Sequence, residues 1–147
     1  MAGKCRLLVA LTPMGYVHAR RAVQPAFDLV CAFSLQQAVA ALEHSEIDAI
    51  LCSIHFDDSR MFDLLDSRQA IAPGVPFICC VMLDSRLSQD YIATLIATAK
   101  SNGARAFIDY NALQRAVGFP EADRRFREEL LSLLERGCGQ DTAASSG

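Results

Sequence analysis

Along the chain, short apolar runs alternate with stretches in which apolar residues return at helical spacing. Cys5 to Leu11 (C-R-L-L-V-A-L) predicts a first strand, and a short helix follows at about Gly15 to Val23, ended by Pro25. Phe27 to Phe33 predicts a second strand. Ser34-Leu-Gln-Gln37 then has the S-x-x-Q form of a helix-opening capping box, with Leu35, Ala38, Val39 and Leu42 on one face behind it. Ile47 to Ile54 predicts a third strand, apolar without interruption from Ala49 to Cys52, as in parallel sheets covered on both sides. His55 to Arg60 is a polar, acidic loop. Phe62, Leu64, Leu65 and the stretch Gln69 to Ile71 mark a third helix, stopped by Ala72-Pro-Gly74.

Pro76 to Leu83 predicts a fourth strand. Ser88 is a good N-cap for a helix whose apolar face is Tyr91, Ile92, Leu95, Ile96 and Ala99, and Gly103 suits the position after its end. Ala104 to Ile108 predicts a fifth strand. Pro120 fits the first turn of a last helix carrying Phe126, Leu130, Leu133 and Leu134, with Gly137 closing it. The order is strand then helix, five times. Right-handed crossovers turn that order into an α/β, flavodoxin-like, doubly wound parallel five-stranded sheet, strand order 2-1-3-4-5, with helices on both faces. The expected domain is 1–136, with 137–147 a disordered polar tail.

Composition narrows the function. The chain has 147 residues, 52% of them hydrophobic, and a net charge of -3 from 14 basic and 17 acidic side chains. A nucleic-acid-binding module of this size is usually basic, so no nucleic acid is expected as partner. Runs such as Phe77 to Leu83 are too short to span a bilayer, and no signal peptide or membrane association is expected. Of the six cysteines, Cys31, Cys52, Cys79 and Cys80 fall inside predicted strands and are expected to be buried, reduced hydrophobes; Cys138 is expected to be exposed and reactive. Without C-x-x-C or Cys/His zinc spacing, a reducing cytoplasm fits best and no metal is expected.

Three stretches carry more specific information. They are Asp48-Ala-Ile-Leu-Cys-Ser-Ile-His-Phe-Asp-Asp-Ser-Arg-Met-Phe-Asp-Leu-Leu65, Pro73-Gly-Val-Pro-Phe-Ile78 and Gly103-Ala-Arg-Ala-Phe-Ile108. In this order and spacing they resemble the third strand with its active loop, the start of the fourth strand, and the fifth strand of response-regulator receiver domains. The resemblance spans Cys5 to Arg136 and implies signalling through protein partners. It also shows what is missing. The family's acidic, Mg²⁺-holding pair falls on Ala10 and Leu11, and its phosphoacceptor aspartate falls on Ser53. The switch Ser/Thr falls on Val81, and the conserved lysine falls near Tyr110, or Asp109 if the loop shifts by one. Phosphoryl transfer depends on metal, nucleophile and cation together, so the resemblance implies a pseudo-receiver with no enzymatic activity and no cofactor.

Other arrangements are weaker. His55, Asp57 and Asp58 could hold a divalent cation with Asp84, though a solvated acidic loop is the favoured reading. Ser53 and His55 could share a face but lack a third orienting group, and no Gly-rich phosphate loop exists. A small-molecule or redox sensor remains the alternative function, using a sheet-edge pocket formed by Leu11, Thr12, Ser53, His55, Asp57, Met82 and Tyr110. The leading expectation is a phosphorylation-independent interaction module that forms a homodimer through its fourth and last helices, with Tyr91, Phe126, Leu130, Leu131 and Leu134 at the interface.

Overall fold

The most apolar runs of the chain form the middle of a parallel sheet. In the computed structural model, which describes the backbone of residues 4–146 and the side chains of residues 4–134, β3 (Ala49–Ser53) and β4 (Phe77–Val81) are buried at every position. β1 (Cys5–Ala10) is buried from Leu7 onward. β2 (Phe27–Ala32) and β5 (Ala106–Asp109) have mixed burial because they are the edges. The order is β2-β1-β3-β4-β5 and every neighbouring pair is parallel, the doubly wound topology expected from the strand-helix alternation.

Alternation along each strand feeds two cores. Leu8, Ala10, Cys52 and Cys79 point to the face covered by α2 (Leu35–His44), α3 (Met61–Ile71) and α4 (Gln89–Ser101). Leu7, Val9, Leu51, Ile78 and Cys80 point to the other face, covered by α1 (Pro13–Val23) and the last helix, α6 (Glu121–Ser146). Burying each such leucine or isoleucine contributes about 1.5–3 kcal/mol. Helix ends follow the sequence signals. Ser34 Oγ accepts the Gln37 N–H at 3.1 Å, while Gln37 reaches back to the Phe33 N–H at 2.8 Å. Ser88 Oγ accepts the Tyr91 N–H, and Gly103 follows α4 with φ 112°.

The structure departs from the sequence expectations in four places. The span between β5 and the last helix is not a loop: α5 (Tyr110–Val117) starts directly from β5, capped by Asp109, whose carboxylate accepts the Ala112 N–H at 2.8 Å. The last helix runs past Gly137 to Ser146; glycine in a helix costs about 1 kcal/mol, whereas only proline would break it outright. Cys31 is exposed, because β2 is an edge strand and the helices on its face do not cover this position, while Cys52, Cys79 and Cys80 are buried as free thiols. Burial pushes the Cys79 thiol up to about 12 and those of Cys52 and Cys80 well above their ordinary value. Cys5, at the half-buried start of β1, is disulfide-bonded, against the expectation of no disulfide. The side chain of Cys138 lies outside the described residues.

Gly118 makes the turn between α5 and α6. Its N–H closes α5 onto the Gln114 carbonyl at 2.8 Å, its own carbonyl accepts the Ala122 N–H at 2.9 Å, and its backbone sits at φ 75°, ψ 175°. That conformation is essentially reserved for glycine. A Cβ there would meet nothing within 4 Å, so the penalty is purely conformational. Gly118→Ala is expected to lower unfolding stability by about 1–3 kcal/mol in urea titration. Gly74→Ala, at a site equally open but without a left-handed φ, is expected to be neutral or slightly stabilising.

Candidate functional site

The C-terminal edge of the sheet, where α/β proteins hold their ligands, is formed here by the ends of β1, β3 and β4. Ala10 ends β1 and pairs with Cys52; Ser53 ends β3 and pairs with Cys80; Val81 ends β4. Ala10 and Leu11 are fully buried and Val81 nearly so, packed into the cores on the two faces of the sheet. None of them offers a polar side chain. Ser53 is buried and its Oγ accepts the His55 N–H at 3.0 Å, which turns the chain out of β3. Among the described residues no three His, Cys, Asp or Glu side chains gather into a group able to hold a metal ion.

Above this edge lies a cavity of about 340 Å³. Thr12, Ser53, His55 and Met82 line it together with the segment from Leu83 to Leu87. Thr12 is placed by its role as N-cap of α1, its Oγ1 accepting the Gly15 N–H at 3.1 Å. Gly15 lets α1 close down: a Cβ there would stand 3.1 Å from Thr12 Oγ1 and 3.4 Å from Met82 Cβ. His55 Nε2 lies 2.9 Å from Ser85 Oγ, which also accepts the Leu87 N–H at 3.1 Å. Ser85 and its neighbours carry no recognisable motif and are brought to the site only by the fold.

Three residues expected at this pocket are elsewhere. Leu11 is sunk in the core. Asp57 instead caps α2, its carboxylate accepting the Leu35 N–H at 2.7 Å. It begins a run of three left-handed residues, Asp57, Asp58 and Ser59, with φ of 42°, 56° and 71°. With His55 on Ser85 and Asp57 on α2, the proposed acidic cation site does not assemble.

Tyr110 is the third and most informative. As the first residue of α5 it turns away from the sheet edge and into the seam between α1 and α6, where it is buried. Its hydroxyl donates to the Asp123 carboxylate in a short hydrogen bond and accepts from Arg21 Nη2 at 2.7 Å. Arg21 also grips Asp123 in two-point fashion, Nε to Oδ2 at 2.6 Å and Nη2 to Oδ1 at 3.2 Å. The Phe119 ring lies under the guanidinium, 4.7 Å away, and stacks on His18. Burial and the neighbouring Asp123 push the Tyr110 phenol up to about 12. Burial opposes the charge on Asp123, but its bonds to Arg21 and Tyr110 outweigh this and hold the carboxyl below its ordinary range. Burial and Arg21 lower His18. The sequence shows only an Arg-Arg pair and an acidic helix start, 102 positions apart, so nothing in it pairs them.

The expected interface is likewise divided. Phe126, Leu130 and Leu134 are buried in the protein's own core against β1 and α1, and so are not available to a partner. Tyr91 on α4 and Leu131 on α6 are exposed, at 52% and 37%. Beside Tyr91, an apolar groove of about 430 Å³ runs between α4 and β5, lined by Ile92, Ala93, Ile96 and Phe107 with Lys100.

No protein-family model matches the sequence, and no curated protein is significantly similar to it. Solved structures are similar in fold. The signal receiver domain of an HD domain-containing protein from Pseudomonas fluorescens Pf-5 superposes with a TM-score of 0.72 at 17% identity, covering 97% of this chain and 95% of that one. The signal receiver domain of a putative LuxO repressor protein from Vibrio parahaemolyticus gives 0.71 at 17%, covering 96% and 98%. A CheY-like response regulator receiver domain protein from Methanospirillum hungatei JF-1 gives 0.65 at 16%, covering 94% and 99%. The chain has the CheY-like, flavodoxin-type fold of these receiver domains. No helix among the described residues is long and apolar enough to cross a membrane.

Proposed function

We propose that this chain is a receiver-like signalling module that works through protein contacts without being phosphorylated. One observation carries the reading: the sheet edge that would have to hold metal, phosphoacceptor and lysine instead presents Ala10, Leu11, Ser53 and Val81, and Tyr110 is committed to Arg21 and Asp123. A transferred phosphoryl group needs its charge neutralised and its nucleophile positioned. The side chains at these positions supply neither. Contacts then fall to the outer surface, where Tyr91, the α4–β5 groove and Leu131 are exposed. A two-fold pairing of these surfaces is the favoured form of self-association, with protein partners of a signalling pathway using the same face.

The test combines intact mass with light scattering of the full chain at micromolar concentration. Incubation with acetyl phosphate and Mg²⁺ is expected to add no phosphoryl mass and to leave the association state unchanged, while Leu131→Glu shifts the protein toward monomer. A phosphoryl adduct that disappears in Ser53→Ala would end the phosphorylation-independent reading. A wild type already monomeric would end the pairing.

A further inference from the structure

The residues lining the sheet-edge cavity suit a ligand quite unlike a phosphoryl group. The cavity's volume of about 340 Å³ is at the small end of the range for small-molecule sites. Met82, Leu83 and Leu87 make most of its wall apolar. Its polar groups are few and mostly donors. Thr12 Oγ1 and Ser53 Oγ each accept one backbone N–H, and no described residue accepts the proton of either hydroxyl. Ser85 Oγ accepts the Leu87 N–H and pairs with His55 Nε2 at 2.9 Å, so these two side chains satisfy one another at the cavity wall. Arg86 is exposed at the rim and makes no ion pair among the described residues. Among the described residues lining the cavity, the one carboxylate, Asp84, is exposed and takes the Asn111 amide at 3.4 Å.

We propose that this cavity binds a small carboxylic acid with an apolar body. Its carboxylate is taken by the Thr12 and Ser53 hydroxyls and the Arg86 guanidinium, and its body lies against Met82, Leu83 and Leu87. A carboxylate accepts hydrogen bonds only, which matches unused hydroxyl protons and a free guanidinium. The apolar body excludes water from the wall that an inorganic phosphate would leave bare. Such a ligand would rest on the first turn of α1 and on the β4–α4 connection together, and so would couple these segments. This inference does not depend on how the outer surface is used.

The experiment is calorimetric titration of the full chain with phenylacetate, benzoate and 4-methylpentanoate, followed by amide and methyl NMR shifts. Phenylacetamide and inorganic phosphate serve as controls. At least one of the acids is expected to bind, moving the Thr12, Ser53 and His55 amides and the Met82 methyl. The amide analogue and phosphate are expected to bind at least tenfold more weakly. Ser53→Ala and Arg86→Ala are each expected to weaken the acid about tenfold while leaving the remaining spectrum folded. Binding by none of the three acids overturns the proposal. So does phosphate binding more tightly than the acids, or acid binding that persists unchanged in the Ser53→Ala, Arg86→Ala double variant.

Discussion

Phe126→Ala is expected to lower unfolding stability by about 3–5 kcal/mol, enough to consume much of a small domain's margin. Phe126 is fully buried on the inner face of α6, with Ala122, Leu130 and Leu134, and meets the Tyr110 ring edge-on at a centroid distance of 5.4 Å. Truncation removes the side chain's transfer free energy and leaves a cavity at the junction of α1, α5 and α6, where three helices cannot all relax inward. Leu131→Ala, one turn away on the exposed face, is expected to stay within about 0.5 kcal/mol. Urea titration of the two variants at low concentration, where self-association does not contribute, measures the difference. Equal losses would mean that α6 packs with a different face than described.

The second large effect is on pH dependence. The Tyr110 phenol is raised from its ordinary value of 10 to about 12 in the fold, so the folded state prefers the neutral phenol. The stability this confers is complete below pH 10 and is lost as pH rises through 12. At about 1.4 kcal/mol per pKa unit, the loss is on the order of 2–3 kcal/mol. Tyr110→Phe is expected to cost about 1–2 kcal/mol at neutral pH through the lost hydroxyl contacts, and to lack that part of the decline between pH 10 and 12. On the acid side the sign reverses. Asp123 is held below its ordinary range, so its contribution is present above about pH 4 and fades as pH falls through the lowered value. Chemical denaturation at pH 7, 10 and 12 separates the alkaline limb; a Tyr110→Phe curve parallel to wild type across that window would remove Tyr110 as its cause.

The sheet was readable from the sequence because its central strands, buried on both faces, have few polar positions to confuse them. Ala49 to Cys52 and Phe77 to Val81 show no helical period; Asp48 and Ser53 bound the first, and Pro76 opens the second. Edge strands carry less of this signal. Cys31 looks like its buried counterparts in sequence, and only its place on β2 exposes it. Helix α5 had local marks on both sides, Asp109 as cap and Gly118 as stop, but a strand-helix repeat needs only one helix there, and eight residues give little period to read. At the candidate site the fate of Ala10, Ser53 and Val81 follows from strand position alone, whereas Leu11, one residue past β1, sinks into the core instead of lining the pocket. The place of Tyr110 does not follow from position either, because its partners Arg21 and Asp123 stand 89 and 13 positions away. Likewise Phe126, Leu130 and Leu134 advertise an apolar stripe, but a stripe alone does not say whether the protein's own sheet or a neighbour covers it.

The grip of Arg21 on Asp123 also bears on how the chain reaches this state. The two residues lie 102 positions apart, and contacts of such separation carry a large loop-closure cost that is met only after nearer ones have formed. The sheet and the α2–α3–α4 layer can assemble from residues up to Asp109, whereas the opposite layer has only α1 and the short α5 until α6 arrives. During synthesis, Leu7, Val9, Leu51 and Ile78 therefore remain partly uncovered until α6 is released. Docking of α6 is expected to complete the α1 side of the sheet, and a ribosome stalled before Glu121 would hold a nascent chain with that side open to chaperones.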